Sequence, residues 1–223
     1  MNTEASQVLR QESFESDNPV VYIETVSGSV TIVESSDSKS YVEISAKSEN
    51  VGYLAEQVEI SVNKERLSIR SGKRNGGLKQ LFSGRSNDLF IVVKLPKTAT
   101  LKVNAVSADI KIDQMLVSLN INSVSGNIAT LQNPSNTCAL KSVSGDITAH
   151  THSSCRYSLK SVSGDISVRV APGLEVDVDG KSVSGDLESE ISLSTYMNSP
   201  ASSSEIVYIN ASTVSGDFSL ARS

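Results

Sequence analysis

The six-residue unit Ser161-Val162-Ser163-Gly164-Asp165-Ile166 constrains this chain more than any other stretch, because close copies of it recur along most of the sequence. The copies are Thr25-Val26-Ser27-Gly28-Ser29-Val30, Ala105-Val106-Ser107-Ala108-Asp109-Ile110, Ser123-Val124-Ser125-Gly126-Asn127-Ile128, Ser142-Val143-Ser144-Gly145-Asp146-Ile147, the 161 copy, Ser182-Val183-Ser184-Gly185-Asp186-Leu187 and Thr213-Val214-Ser215-Gly216-Asp217-Phe218. Their valines are separated by 80, 18, 19, 19, 21 and 31 residues. A near-constant period of about 20 residues, rich in β-branched side chains, predicts coils that bury their apolar side only by stacking on one another.

Within a repeat, the valine and the residue four places on share a parity, and the small glycine between them permits a bend. The predicted core ladder is therefore Val106, Val124, Val143, Val162, Val183 and Val214, beside Ile110, Ile128, Ile147, Ile166, Leu187 and Phe218. A second apolar residue lies three places before the valine in the early repeats: Val103, Ile121, Leu140 and Leu159. Three is odd, so a corner must separate the two if both point inward. The serines and aspartates then face out, or close the corner through bonds to main-chain N–H groups.

Before the regular array the pattern is looser. Residues 1–18 are polar and aperiodic, which predicts a flexible N-terminal arm or a loosely docked first strand. From Pro19, Val20–Ile23 and Val30–Val33 read as two strands bent at Ser27-Gly28, and Tyr41–Ala46 reads as a third. Val58, Ile60 and Val62 alternate with polar residues, as do Leu67 and Ile69 beyond a short turn, which predicts an antiparallel hairpin. Residues 51–57 carry a short helical signal. Leu89–Leu95 is apolar nearly throughout and reads as a strand buried on both faces, ended by Pro96.

The fold expected is all-β: an antiparallel N-terminal section over 19–97, continuous with a single-stranded right-handed parallel β-solenoid over 98–223, so that 19–223 form one domain. Asp179-Gly180 widens a late corner, and Ser192–Ser204 adds a serine-rich loop of the kind that projects from a stack as a binding edge. Phe218-Ser219-Leu220 ends the chain, so this final strand calls for a cap or a partner, and a homo-oligomer through it is one outcome.

Composition narrows the functions. A net charge of -5 argues against general nucleic-acid binding, which needs a basic balance or stripe. No run of 18 apolar residues occurs, and the N-terminal segment lacks the apolar stretch of a signal peptide. The chain as given reads as cytoplasmic, with the cell envelope as the alternative had an export segment been removed. Cys138 and Cys155 are too few for a disulfide framework and read as reduced, structural residues, near each other but out of register.

The sequence offers three candidate sites. Stacked coils would bring Asp109, Asn127, Asp146, Asp165, Asp186 and Asp217 into a ladder spaced by about 4.8 Å; such oxygen ligands suit calcium, although each acid capping its own turn is the plainer reading. Arg70–Arg85 is basic and glycine-rich with no acid, so Lys73, Arg74, Lys79 and Arg85 could contact an anion or a membrane surface, or simply lie in a solvated loop. His150, His152, Cys155 and Cys138 have zinc-ligand chemistry, yet His-x-His is ordinary in a polar loop. No nucleophile with a base, no carboxylate pair in a predicted cleft and no phosphate-cradling glycine loop before a helix is recognisable, so neither an enzyme nor a cofactor is expected.

On the repeated Ser-Gly-Asp-Ile unit, and on the Leu95-Pro96 step before the array, the chain resembles the bacterial putative-adhesin family of domains of unknown function, the DUF4097 type. The resemblance spans roughly residues 20–220. It implies a β-solenoid and an adhesin-like, envelope-associated module that binds a macromolecule, a protein or an envelope polymer, without catalysis. An intracellular structural or regulatory protein that self-associates is the rival reading, and a carbohydrate-active solenoid enzyme a remote one.

Overall fold

The structure is a computed structural model that describes residues 7–46, 58–71, 89–132, 135–191 and 205–223. These residues form β1 (Gln7–Glu15), β2 (Val20–Thr25), β3 (Ser29–Glu34), β4 (Lys39–Ala46), β5 (Val58–Asn63), β6 (Arg66–Ser71), β7 (Leu89–Leu95), β8 (Thr100–Ala105), β9 (Asp109–Asp113) and β10 (Leu116–Asn122). There follow β11 (Ile128–Thr130), β12 (Ser135–Lys141), β13 (Ile147–Thr151), β14 (Cys155–Lys160), β15 (Ile166–Val170), β16 (Glu175–Lys181), β17 (Leu187–Ser189), β18 (Ile206–Ser212) and β19 (Phe218–Arg222). Among the described residues there is no helix.

The protein is all-β, with two mostly parallel sheets. One runs β1-β4-β7-β3-β9-β11-β13-β15-β19-β17 and the other β16-β18-β14-β12-β10-β8-β2-β6-β5. Each repeat gives one strand to each sheet and crosses between them at its Ser-Gly-Asp corner, as in β10 to β11 and β12 to β13. Equivalent residues then stack in register, with Ile121 beside Leu140 and Ile128 beside Ile147. A single repeat could not bury these side chains alone; between neighbours, one buried apolar cluster extends from Phe14 to Leu220. Each large aliphatic side chain taken from water into it is worth about 1.5–3 kcal/mol.

The 80-residue step between the first two valines is an excursion. β2 lies directly against β8, and β3 against β9, as consecutive coils would. The strands β4–β7 of this excursion stack on the far side of that first coil and, with β1 added on β4, finish the two sheets with antiparallel pairs, β1 on β4 on β7 and β5 on β6. The hairpin over 58–71 matches expectation. The N-terminal section as a whole is less antiparallel than expected, since β2 pairs parallel with β6, and β3 with β7.

Several other expectations change. Residues 7–15, read as part of a flexible arm or a loosely docked first strand, form a nine-residue strand hydrogen-bonded to β4. β7 is buried on one face only: Leu89, Ile91, Val93 and Leu95 face the core, while Phe90 and Val92 on the second face are half-buried. The last two repeats exchange places. β18 pairs with β14 and β19 with β15, so the final repeat inserts against the 161 repeat and pushes the 182 repeat to the end of the stack. The chain end, Phe218–Leu220, is thus interior and buried, whereas Leu187 in the displaced repeat is 51% exposed instead of joining the core ladder. The helical signal at 51–57, the basic tract beyond Ser71 and the loop 192–204 lie outside the described residues.

Candidate functional site: the repeated corner

Chain direction fixes the corner. In β10 the buried residues include Leu119 and Ile121, and strict alternation carries Ser123 inward and Val124 outward before the chain bends. The same holds at Ser142 and Val143, Ser161 and Val162, and Thr213 and Val214. The valines are therefore not a core ladder. Val106, Val124, Val143, Val162 and Val214 are each 46–47% exposed and Val183 is 81% exposed, while Val26 is half-buried. Parity failed as a guide across the glycine because the strand ends before it; the isoleucines beyond the bend do point inward.

A buried serine needs a partner, and the repeat supplies one. The main-chain N–H groups of Gly126, Gly145, Gly164, Gly185 and Gly216 donate to the side-chain oxygens of Ser123, Ser142, Ser161, Ser182 and Thr213 at 2.8–3.1 Å. This closes each corner from within. Glycine is required there by close approach: a Cβ on Gly145 would lie 2.2 Å from the carbonyl oxygen of Gly126. Ala108 occupies the same slot where its neighbouring coil turns through Gly28, whose φ is +99°.

Two further ladders join one corner to the next. The hydroxyls of Ser107, Ser125, Ser144, Ser163, Ser215 and Ser184 donate to the carbonyl oxygens of Val26, Val106, Val124, Val143, Val162 and Val214 at 2.9–3.3 Å. The Oδ1 atoms of Asp109, Asn127, Asp146, Asp165 and Asp217 accept from the main-chain N–H of Asn127, Asp146, Asp165, Asp217 and Asp186 at 2.9–3.0 Å. Each acid thus caps the adjacent coil and not its own turn. The outcome is a stiff edge on which a line of valines runs beside a line of serines and a line of carboxylates, each repeating at the strand spacing of about 4.8 Å.

The other candidates are placed as follows. Lys73, Arg74, Lys79 and Arg85 lie outside the described residues. Cys138 and Cys155 are buried free thiols, and Cys138 stands beside Tyr157, two residues from Cys155. Burial pushes both thiols up, Cys138 well up. Cys155 Sγ lies 3.4 Å from Thr151 Oγ1. His150 is on β13 in the opposite sheet, held below its ordinary value by desolvation and then by the Arg169 charge beside it. Among the described residues no three of His, Cys, Asp or Glu gather as a metal site, so the four zinc candidates are not brought together. No helix among the described residues is long and apolar enough to cross a membrane.

Fold and corner together define a repeat protein of the all-β class, built from two mostly parallel sheets that meet at an interlocked Val-Ser-Gly-Asp edge. The DUF4097 family, described as Toastrack, matches residues 21–130 and again 97–221, and the chain belongs to this family. No curated protein matches it. Among solved structures, a putative cell adhesion protein from Clostridium sporogenes superposes with a TM-score of 0.56 at 8% identity, covering 97% of this chain and 100% of that one. A putative adhesin from Bacteroides fragilis gives 0.52 at 15% identity, covering 99% of each. At these identities the likeness is one of fold.

The exposed valine line is what sequence reading missed. The small residue one place before each valine, Ser or Thr except for Ala105, carried the signal, because in continuous alternation from Ile121 or Leu140 that residue, not the valine, takes the inward position.

Proposed function

We propose that this protein is a non-catalytic, adhesin-like binding module of the cell envelope, which presents the repeated corner to a macromolecular partner. The observation that carries the reading is the line of half-exposed valines, from Val106 to Val214, beside the serine and carboxylate ladders. Six or seven copies of one apolar side chain at a fixed spacing suit a long, regular partner, either an extended protein surface or an envelope polymer. The names of the two superposed proteins support it. We also read residues 19–223 as one continuous domain, and its winding as right-handed, the hand of nearly all parallel β crossovers.

The test is fractionation of the native host with protease accessibility on intact cells, followed by adhesion of purified protein to envelope polymers and host ligands. Surface exposure, and adhesion abolished by V124S/V143S/V162S, are expected. Protected cytosolic protein, or adhesion unchanged in that variant, overturns the reading. The rival, an intracellular self-associating structural protein, would require dimers or filaments in light scattering. Anion or membrane-surface contact by Lys73, Arg74, Lys79 and Arg85 is a secondary proposal, tested by binding to anionic vesicles. Calcium on the Asp ladder is another, dropped if millimolar calcium leaves the melting temperature unchanged. The carbohydrate-active alternative is dropped if a polysaccharide screen yields no product.

A further inference from the structure

The coil that the final repeat displaces to the end of the stack differs from every other coil in charge. Residues 175–190 hold Glu175, Asp177, Asp179, Asp186, Glu188 and Glu190 against Lys181 alone, a net -5. That equals the charge of the whole chain, so the remaining residues balance, with 19 bases and 19 acids. The coil is also open along β16. The Glu175 N–H donates to Glu205, and the Lys181 carbonyl accepts from Thr213, so residues 175, 177, 179 and 181 face β18. By the two-residue alternation of a parallel ladder, the N–H and C=O groups of Val176, Val178 and Gly180 point away from it. No strand lies there among the described residues, since β16 and β17 are the edges of their sheets.

The side chains specify what such an edge accepts. On its inner side stand half-buried Val178, Gly180 and the exposed Leu187; on its outer side stand Asp177 and Asp179, with Lys181 paired to Asp179 at 3.1 Å. A second copy pairing through the same edge would set -5 against -5, and charge of one sign on a sheet edge is a device that blocks edge-to-edge pairing of like molecules. Opposite charge is selected instead.

From this geometry we infer that β16 is a docking edge for an extended segment of another protein, with aliphatic residues alternating with Lys or Arg, that adds as a strand. Main-chain bonds to Val176, Val178 and Gly180 supply the attachment; aliphatic side chains cover Val178 and Leu187; the cations lie against Asp177 and Asp179. This inference does not depend on the corner reading above, because the residues and the kind of contact differ.

The test uses the full chain and a fluorescent peptide of alternating Lys and Val, seven residues long, read by anisotropy at low and high salt. Saturable binding is expected, weakened at least tenfold when alternate peptide nitrogens on one edge are methylated, and at least tenfold by the exposed-site variant D177K/D179K. Equal binding of the methylated peptide means adsorption by charge alone and overturns the proposal. So does failure to bind, including the case in which a second copy occupies the edge, seen as a concentration-dependent dimer. The valine-corner variant V124S/V143S/V162S is expected to bind the peptide as the parent does, which separates this result from the adhesion result.

Discussion

The main-chain N–H of Asp217 donates to the carboxylate of Asp165 at 2.9 Å, across 52 residues of sequence. In a stack wound in chain order that bond would belong to Asp186, whose N–H is instead bound by Asp217. The last repeat is thus interior, and among the described residues the repeat before it forms the end of the stack. Which repeat is buried and which is exposed follows from this one exchange, and it frames what substitutions should do.

Ser142 and Val143 are neighbours with opposite fates. Ser142→Ala leaves the Gly145 N–H without its internal partner, at a cost of about 1–2 kcal/mol, or a melting point lower by about 3–6 °C. Val143→Thr, at an exposed site, is expected to change stability by less than about 0.5 kcal/mol. Thermal denaturation of both variants checks the order; the reverse order would restore the valine to the core.

Gly145→Ala is expected to be severely damaging, as is Gly126→Ala, whose Cβ would lie 1.9 Å from the carbonyl oxygen of Ala108. A Cβ on Gly145 would sit 2.2 Å from a main-chain oxygen of the next coil, which cannot move without breaking the ladder. A loss above about 3 kcal/mol, or failure to fold, is expected, as for overpacking against rigid backbone. Gly173→Ala meets nothing within 4 Å and is strained only by its φ of +88°, so about 1 kcal/mol is expected there.

Asp165→Asn should keep the bond to Asp217, because Asn127 already makes the same bond to Asp146 with an amide oxygen. Asp165→Ala removes the acceptor and is expected to cost about 0.5–1.5 kcal/mol. Denaturant melts of the two variants separate acceptor from charge: equal losses in both would mean that the charge matters and the bond does not.

The two thiols should be inert in the folded protein. Adjacent strands and a two-residue offset put the Cα atoms about 8 Å apart, beyond the reach of a disulfide. With Cys138 raised by burial, the unfolded chain loses its thiol proton first as pH rises, so stability present below the ordinary thiol value of about 8.5 declines above it. Alkaline melts should show that decline and C138A should lessen it, with the smaller Cys155 contribution remaining. A thiol reagent should react no faster than the protein unfolds.

The sequence alone determined that the chain stacks, through a six-residue unit at a period near 20, and that Ile128, Ile147 and Ile166 face inward on strands of two-residue periodicity. It also determined the hairpin over 58–71, because alternation on either side of a polar turn admits little else. Tertiary structure decided the rest. Parity cannot be carried through a bend, so only the folded corner showed Ser123 and Ser142 inside and Val124 and Val143 outside. Near-identical repeats present near-identical edges, so the 161 repeat could accept either the 182 or the 213 repeat, and local sequence does not rank them. Insertion of the larger Phe218, buried where Leu187 is exposed, leaves the small and acidic coil, with Gly180 and Ser189 at its inward positions, at the end facing water.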